Sequence, residues 1–223
     1  MLTYTALVRL ANYRSWTESL GYDREWIIQI TQSRIYHDLQ SISKEFEGIA
    51  LPMRYDVQVV LLPPTTPINS FISKLNDVAV RWAPIKVEVD IYCGLPHEIS
   101  NNGVMGECSH REICVAHLDL NNFTSKSIYE GFYQPYIEVL GMSSRLAFKL
   151  MGKAVVQYLG GDNIVVVTYP QNIDDLLAEV VEEDIKVGIG ISENPRKAFE
   201  LAAKALNVLR NKRKNFKYLI IRG

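Results

Sequence analysis

The stretch AVVQYLGGDNIVVVTY, residues 154–169, decides the fold of this chain. Two runs rich in β-branched and aromatic residues flank the segment Gly160–Asn163, and turn residues between such runs are typical of a β-hairpin. Upstream, ICVAHLDL (Ile113–Leu120) is an apolar run that predicts a buried strand. The segment between them, from about Ser127 to Met151, has helical character. The order is therefore strand, helix and hairpin.

Further elements follow the hairpin. We predict a short helix near Asp174–Val181 and a strand at Ile185–Ile191 (IKVGIGIS continues to residue 192). Asn194 and Pro195 then open an alanine-rich helix that ends near Lys212, since proline is well tolerated in the first turn. The last strand is predicted at Tyr218–Ile221. The second half thus reads β-α-β-β-α-β, followed by a helix and a strand.

The first half repeats this order. A strand at Tyr4–Ala11, a helix at Trp26–Phe46 and a hairpin in GIALPMRYDVQVVLL are followed by a helix at Asn69–Val80 and a strand at Ile85–Tyr92. The corresponding positions, at nearly constant spacing, are Ala11 with Asp119, Asp56 with Asp162, and Val87 with Val187. We expect the helix of the second half to be interrupted near Pro135 and Gly141.

The repeat predicts an α+β fold made of tandem ferredoxin-like, or palm-like, βαββαβ units with antiparallel sheets. We place the first unit at residues 1–93 and the second at residues 112–223. Residues 94–111 are rich in Gly, Asn, Ser and charge without periodicity, which favours a linker.

Composition narrows the class of protein. Hydrophobic residues make up 48% of the 223 residues and charged residues 22%, a balance that indicates a globular chain with a real core. The formal net charge of -1 gives no long-range field for nucleic acid or an anionic membrane, so we expect neither as a partner. The N-terminus alternates like a strand and lacks the apolar core of a signal peptide. With three cysteines and no disulfide framework, we expect a cytoplasmic protein.

Two carboxylates are the main candidates for chemistry. Asp119 ends a predicted buried strand and Asp162 lies at the tip of the hairpin, so an antiparallel sheet brings them to one edge. Two carboxylates suit Mg²⁺, which binds few protein ligands together with phosphate oxygens. Asp119, Leu120 and Asp162 are the predicted metal-binding positions. The alternative is that Asp119 only caps a helix and Gly-Gly-Asp-Asn is only a turn.

Phosphate-binding groups are predicted beside this site. The backbone N–H groups of residues 121–124 precede a helix and could hold a triphosphate. The set comprises Asn121, Asn122, Phe123 and Thr124, together with Lys204 and Arg210 of the C-terminal helix. For the basic residues near the C-terminus, the alternative is a solvated helix end that opposes the dipole.

A zinc site is the competing metal hypothesis. Cys108, His110, Cys114 and His117 are close in sequence, but their spacing matches no common zinc pattern. Cys114 and His117 lie three residues apart on a strand, and therefore on opposite faces. We expect no zinc.

The motifs resemble those of known families. His117–Asn122 followed by Gly160–Asn163 is similar to the palm domain of class III nucleotidyl cyclases and of diguanylate cyclases. A closer resemblance is to GTP cyclohydrolase III, an archaeal family, through the first-half motifs, which are Asn12-Tyr13-x-x-Trp16-Thr17, Gln32-Ser33-Arg34-Ile35-Tyr36-x-Asp38-Leu39 and Arg54-Tyr55-Asp56. The resemblance covers most of the chain and weakens in residues 93–111. Ala11 and Val57 stand where the family pattern has Asp and Asn, so we expect the first half to have lost its own metal site.

This resemblance implies an activity. It implies Mg²⁺-dependent hydrolytic attack at C8 of GTP, two or more Mg²⁺ ions with a monovalent cation as a further candidate, and a homo-oligomer. Asp119, Asp162 and Asn163 are the expected catalytic residues, and the expected base-binding residues are Asn12, Gln32, Arg34 and Asp56. The alternatives are a nucleotidyl cyclase acting on GTP or ATP and a non-catalytic nucleotide sensor.

Overall fold

A computed structural model describes residues 3–82, 86–99, 112–211 and 216–223. The strands are β1 (Tyr4–Leu10), β2 (Ile49–Arg54), β3 (Val57–Leu62), β4 (Val87–Cys93), β5 (Ile113–Leu120), β6 (Ala154–Gly160), β7 (Asn163–Thr168), β8 (Ile185–Ser192) and β9 (Tyr218–Arg222). The helices are α1 (Tyr13–Ser19), α2 (Glu25–Glu45), α3 (Ile68–Trp82), α4 (Phe123–Tyr129), α5 (Tyr133–Lys149), α6 (Ile173–Val180) and α7 (Pro195–Asn211).

These elements form two compact units, one with β1–β4 and one with β5–β9. The first has the sheet order β2-β3-β1-β4, and the second has β6-β7-β5-β8-β9. Every pairing is antiparallel except β8 with β9, which is parallel. The predicted fold of tandem βαββαβ units is confirmed. Of the predicted linker, Pro96–Glu98 form a short 3-10 helix that belongs to the second unit, and residues 100–111 lie outside the described residues.

The core of the first unit lies between one face of its sheet and the helices α2 and α3. Alternate residues of β1 point to this face, as a half-buried strand requires. The buried side chains there include Ala6, Val8 and Leu10 of β1, and Phe71 and Leu75 of α3.

The core of the second unit is built in the same way. Cys114, Ala116 and Leu118 of β5 pack with α5 and α6, as do the apolar positions of β8.

The break between the helices α4 and α5 falls at Gly131, whose φ of 86° ends α4 in a left-handed turn. The expected interruptions at Pro135 and Gly141 are therefore wrong. Pro135 lies in the first turn of α5, where its missing N–H costs little, and Gly141 continues the helix.

The opposite face of the second sheet is covered by α7. Gly188 and Gly190 of β8 let this helix approach the strand closely, because a Cβ at Gly188 would lie 2.5 Å from the backbone N of Leu206, and one at Gly190 2.5 Å from that of Ala202. The face of β5 that carries His117 and Asp119 is therefore turned towards α7.

Strand register defines which residues of the two units correspond. Arg9 is paired with Val57, the first residue of β3, and Asp119 with Asn163, the first residue of β7. Asp56 and Asp162 each immediately precede these partners, so their predicted equivalence is confirmed.

The predicted match of Ala11 with Asp119 is wrong by two residues. Ala11 and Asn12 connect β1 to α1 just as Asn121 and Asn122 connect β5 to α4, and both Asn12 and Asn122 have a left-handed backbone, with φ of 56° and 59°. Arg9 is therefore the counterpart of Asp119, and Ala11 that of Asn121. Likewise Val87 corresponds to Ile185, since they pair with Leu10 and Leu120 respectively.

Two further features concern the chain as a whole. Cys93 is disulfide-bonded, which the cysteine count did not indicate, and Cys114 is free and buried. Among the described residues, no helix combines the length and apolar character needed to cross a membrane.

Candidate functional site

Asp119 lies at the end of β5 on the face covered by α7. Its side chain is 10% exposed, and Arg210 of α7 binds both of its oxygens. The Arg210 Nε donates to Asp119 Oδ2 at 3.0 Å, and Nη2 donates to Oδ1. This bidentate pair compensates the cost of burying the carboxylate. The Arg210 side chain is 49% exposed, so it lies at the boundary with solvent.

Asp162 reaches the same place from the β6–β7 hairpin. Gly160 and Gly161 both have positive φ, 106° and 62°, which explains why the turn needs glycine. Asp162 immediately precedes Asn163, the cross-strand partner of Asp119, so its carboxyl group lies near that of Asp119. Burial raises the pKa of Asp162, and the negative charge of Asp119 raises it further, while its own backbone N–H and Arg210 act in the opposite direction. The structure therefore brings the two predicted carboxylates together.

Asn163 connects this hairpin to a residue whose role the sequence did not reveal. His117 Nε2 donates to Asn163 Oδ1 at 2.9 Å, and Asn163 Nδ2 donates to Asp162 Oδ1 at 3.2 Å. The His117 ring stacks on Phe199 of α7 with centroids 5.9 Å apart. His117 therefore fixes the orientation of the Asn163 amide, which in turn holds Asp162. The available signal was its spacing of two from Asp119, which places both on one strand face.

The donor set fits Mg²⁺. In the described part of the chain no cluster of three or more His, Cys, Asp or Glu side chains could hold a metal, and the pair at this site offers two carboxylates. Mg²⁺ commonly uses one or two carboxylates and completes its octahedron with water and phosphate oxygens. Asp119 and Asp162, with the adjacent Leu120 carbonyl, are sufficient for such a site.

The predicted phosphate-binding residues differ in whether their hydrogen-bond donors already have a partner within the protein. The Asn121 N–H donates to the Asp184 carbonyl at 3.1 Å, and its side-chain amide donates to Asp184 Oδ1 at 2.7 Å. Asn122, Phe123 and Thr124 lie at the start of α4, where backbone N–H groups have no partner within the helix. Lys204 is exposed on α7. The phosphate role of this set stays a prediction.

The predicted base-binding residues of the first unit gather around Tyr13. Gln32 of α2 is buried and donates to the Tyr13 hydroxyl, and Asn12 precedes Tyr13 in the chain. Burial raises the pKa of Tyr13, and the nearby charge of Asp56 raises it further. Asp56 itself forms a bidentate pair with Arg54, with distances of 3.1 and 2.8 Å. Arg34 is exposed on α2.

The first unit has the opposite charge at the position that corresponds to Asp119. Arg9, the counterpart of Asp119, forms an ion pair with Asp90 at 2.6 Å. A cation in place of a carboxylate disfavours a divalent metal there. The expected loss of a metal site in the first half stays a prediction.

The four-residue cysteine and histidine group is only partly described. Cys108 and His110 lie outside the described residues. Cys114 and His117 are on opposite faces of β5, as predicted, because Cys114 packs in the core and His117 stacks on Phe199. Burial raises the pKa of the Cys114 thiol to about 12, which keeps it protonated.

Two βαββαβ units, one with a carboxylate pair at the end of its central strand, define a tandem palm-type protein. The model of the family GTP cyclohydrolase III matches residues 2–103 and 97–222. GTP cyclohydrolase III from Aeropyrum pernix is 35% identical over 227 residues, covering 93% of this chain and 92% of the relative. The protein of the same description from Saccharolobus solfataricus is 30% identical over 221 residues, covering 92% and 94%. The chain belongs to the GTP cyclohydrolase III family, which is a family of enzymes.

Two solved structures illustrate the matches found by comparison of coordinates. The GGDEF domain of DgcB from Caulobacter crescentus in complex with c-di-GMP matches 49% of this chain and 78% of its own, with 17% identity and a TM-score of 0.42. A bacterial light-regulated adenylyl cyclase matches 99% of this chain and 85% of its own, with 9% identity and a TM-score of 0.38. Similarity at this level carries no argument about substrate or activity.

Proposed function

We propose that this protein opens the imidazole ring of GTP by Mg²⁺-dependent hydrolysis. The observation that carries the proposal is the convergence of two carboxylates at the end of β5, in a chain of the GTP cyclohydrolase III family: Asp162 immediately precedes Asn163, the cross-strand partner of Asp119. Water adds at C8, the C8–N9 bond breaks, and C8 is kept as a formyl group on N7. Hydrolysis of the two phosphoanhydride bonds converts the triphosphate to a monophosphate and releases phosphate.

The carboxylates define where the triphosphate is held. Mg²⁺, when bound, polarises phosphate oxygens and lowers the pKa of bound water. Asp119, Asp162 and the Leu120 carbonyl would hold it. Asn163, held by His117, keeps the Asp162 carboxylate oriented through the 3.2 Å hydrogen bond. Asn122, Phe123 and Thr124 offer backbone N–H groups on the neighbouring loop.

Arg210 is the group that would respond to substrate at this site. It neutralises Asp119 through both carboxylate oxygens, which Mg²⁺ would also need. Guanidinium groups bind phosphate with the same bidentate geometry as carboxylate. Because the Arg210 side chain is half-exposed, it could bind a phosphate oxygen of the substrate in place of Asp119, whose oxygens would then be available to Mg²⁺.

Incubation with GTP and Mg²⁺, followed by mass and ultraviolet absorbance, tests the proposed function. Ring opening adds the mass of water to the nucleoside and changes the absorbance of the base. A nucleotidyl cyclase would release pyrophosphate and leave the base spectrum unchanged, and a sensor would give no product. Either of these last two results contradicts the proposal.

Base recognition by the first unit gives a second test. Guanine presents acceptors at O6 and N7 and donors at N1 and N2, so amide, guanidinium and carboxylate groups can distinguish it from adenine. We expect Gln32→Ala, Arg34→Ala or Asp56→Ala to lower the ratio of kcat/KM for GTP over ATP, and to change Mg²⁺ affinity less. A thermal melting curve is recorded for each variant. Loss of thermal stability with an unchanged ratio in all three would show that these residues only support the helix and hairpin.

A further inference from the structure

The corner between α4 and α5 carries an unusual aromatic surface. Tyr129 is 87% exposed, Phe132 80% and Tyr133 73%. Exposed apolar side chains that occur singly need no explanation, but a contiguous group of large ones marks a binding surface. This group lies within one turn of the helix ends, on the second unit.

A line of rings connects this surface to the carboxylate site. The Tyr133 and Tyr136 ring centroids are 6.3 Å apart, and those of Tyr136 and Tyr158 are 6.4 Å apart. Tyr158 belongs to β6, and its hydroxyl donates to the Gly161 carbonyl at 3.2 Å. Gly161 is the residue before Asp162. The aromatic line thus runs from α5 to the turn that presents the catalytic carboxylate.

We propose that Tyr136, flanked by Tyr133 and Tyr158, is the surface on which the purine ring of the bound nucleotide stacks. The proposal rests on the proposed function, because it assumes that the triphosphate lies at Asp119 and Asp162. A nucleotide held there carries a flat aromatic base, and an aromatic side chain on the same unit provides a matching face. Tyr136 is 41% exposed, so its ring is accessible, and it contacts a ring on either side that limits its movement.

Stacking on Tyr136 has a consequence that hydrogen-bonding residues do not share. Every base has a π face, so stacking contributes affinity without distinguishing guanine from adenine. Selectivity then comes from groups that contact the base edge, and affinity for the base comes from this surface. The two contributions are separable by experiment.

Tyr136→Ala tests the proposal, with Tyr136→Phe as the conservative variant. Affinity is measured by calorimetry with Mg²⁺ and either ATP or inorganic tripolyphosphate, and KM is measured for GTP. For Tyr136→Ala we expect about a ten-fold weaker Kd for ATP and a similar rise in the KM for GTP. Tripolyphosphate has no base, so its Kd is expected to stay unchanged. Tyr136→Phe keeps the ring and is expected to behave like the unmodified protein.

Phe148→Ala is the matched control. Phe148 lies on the same helix, is 70% exposed and is outside the line of rings, so its removal is expected to leave all three values unchanged. The proposal is overturned if Tyr136→Ala leaves the affinity for ATP unchanged, or if it lowers the affinity for tripolyphosphate as much as the affinity for ATP. It is also overturned if sedimentation shows that Tyr136→Ala dissociates a homo-oligomer while nucleotide affinity is retained, because the surface then binds a second copy. If the unmodified protein does not open GTP, the comparison of ATP with tripolyphosphate still decides the stacking question.

Discussion

Asp119→Asn and Asp162→Asn are each expected to lower kcat/KM for GTP by at least about 100-fold, which corresponds to roughly 2.7 kcal/mol of transition-state stabilisation. Asparagine keeps the size of the side chain and removes the negative charge that we propose binds Mg²⁺. Both positions have polar partners in the structure, Arg210 for Asp119 and Asn163 for Asp162, and an amide can still hydrogen-bond there. We therefore expect the fold to survive, which circular dichroism checks.

The control for these variants is Asp175→Asn. Asp175 lies on α6 of the same unit and forms an ion pair with Lys153 at 2.9 Å, with about half of each side chain exposed. Pairs of this kind contribute little to stability, so near-normal turnover is expected. Near-normal Mg²⁺-dependent turnover in Asp119→Asn or Asp162→Asn would contradict the proposal that these carboxylates bind Mg²⁺.

Gly190→Ala is expected to destabilise the second unit by about 3 kcal/mol, the upper end of the usual cost of overpacking. The added Cβ would overlap the Ala198 carbonyl and lie 2.5 Å from the Ala202 backbone N, so α7 must move away from β8. Denaturation in urea followed by circular dichroism measures the change. Because α7 carries Arg210 and Phe199, we also expect GTP turnover to fall.

Gly141→Ala is the control, because it makes the same substitution at a position where the added Cβ meets no described neighbour. A Cβ at Gly141 has no described neighbour within 4 Å, and the residue lies inside α5. Alanine is the better helix former by roughly 0.8–1 kcal/mol, so this variant is expected to be slightly more stable. Equal stability changes in both variants would contradict the close packing of α7 on β8.

The fold was predictable because the hydrophobic pattern is strong where strands are buried. The bounds of β5 were predicted to the residue, since ICVAHLDL is a continuous apolar run that ends at two asparagines. The position of the break between α4 and α5 does not follow from residue type alone. Pro135 lies in the first turn of α5, where proline is tolerated, and Gly131 supplies the left-handed turn that ends α4.

The correspondence between the units failed for a different reason. The identical letters IKV at residues 85 and 185 suggested a match that is two residues out of register. A shift of two keeps the alternation of inward and outward side chains, so the hydrophobic pattern cannot detect it. Only the backbone pairing of Arg9 with Val57 and Asp119 with Asn163 identifies the true counterpart.

The site was predictable in its carboxylates and not in their partners. Asp119 and Asp162 were indicated by a strand end and a hairpin tip, which are local signals. Arg210 reaches Asp119 across 91 positions of sequence, and His117 reaches Asn163 across 46. The first contact depends on how α7 lies on the sheet, and the second on the register of β5 with β7. The alternating glycines of β8 indicate close helix packing only once the strand and helix are known to be neighbours.

Arg9 gives the two units opposite charges at equivalent strand ends. The corner of the second unit keeps a net negative charge, because the single guanidinium of Arg210 lies beside two carboxylates, Asp119 and Asp162. In the corresponding corner of the first unit each carboxylate has its own arginine, because Arg9 pairs with Asp90 and Arg54 with Asp56. One reversal of charge at a strand end leaves every backbone pairing of the described strands intact, so the first unit keeps the same architecture with a different surface charge at this corner.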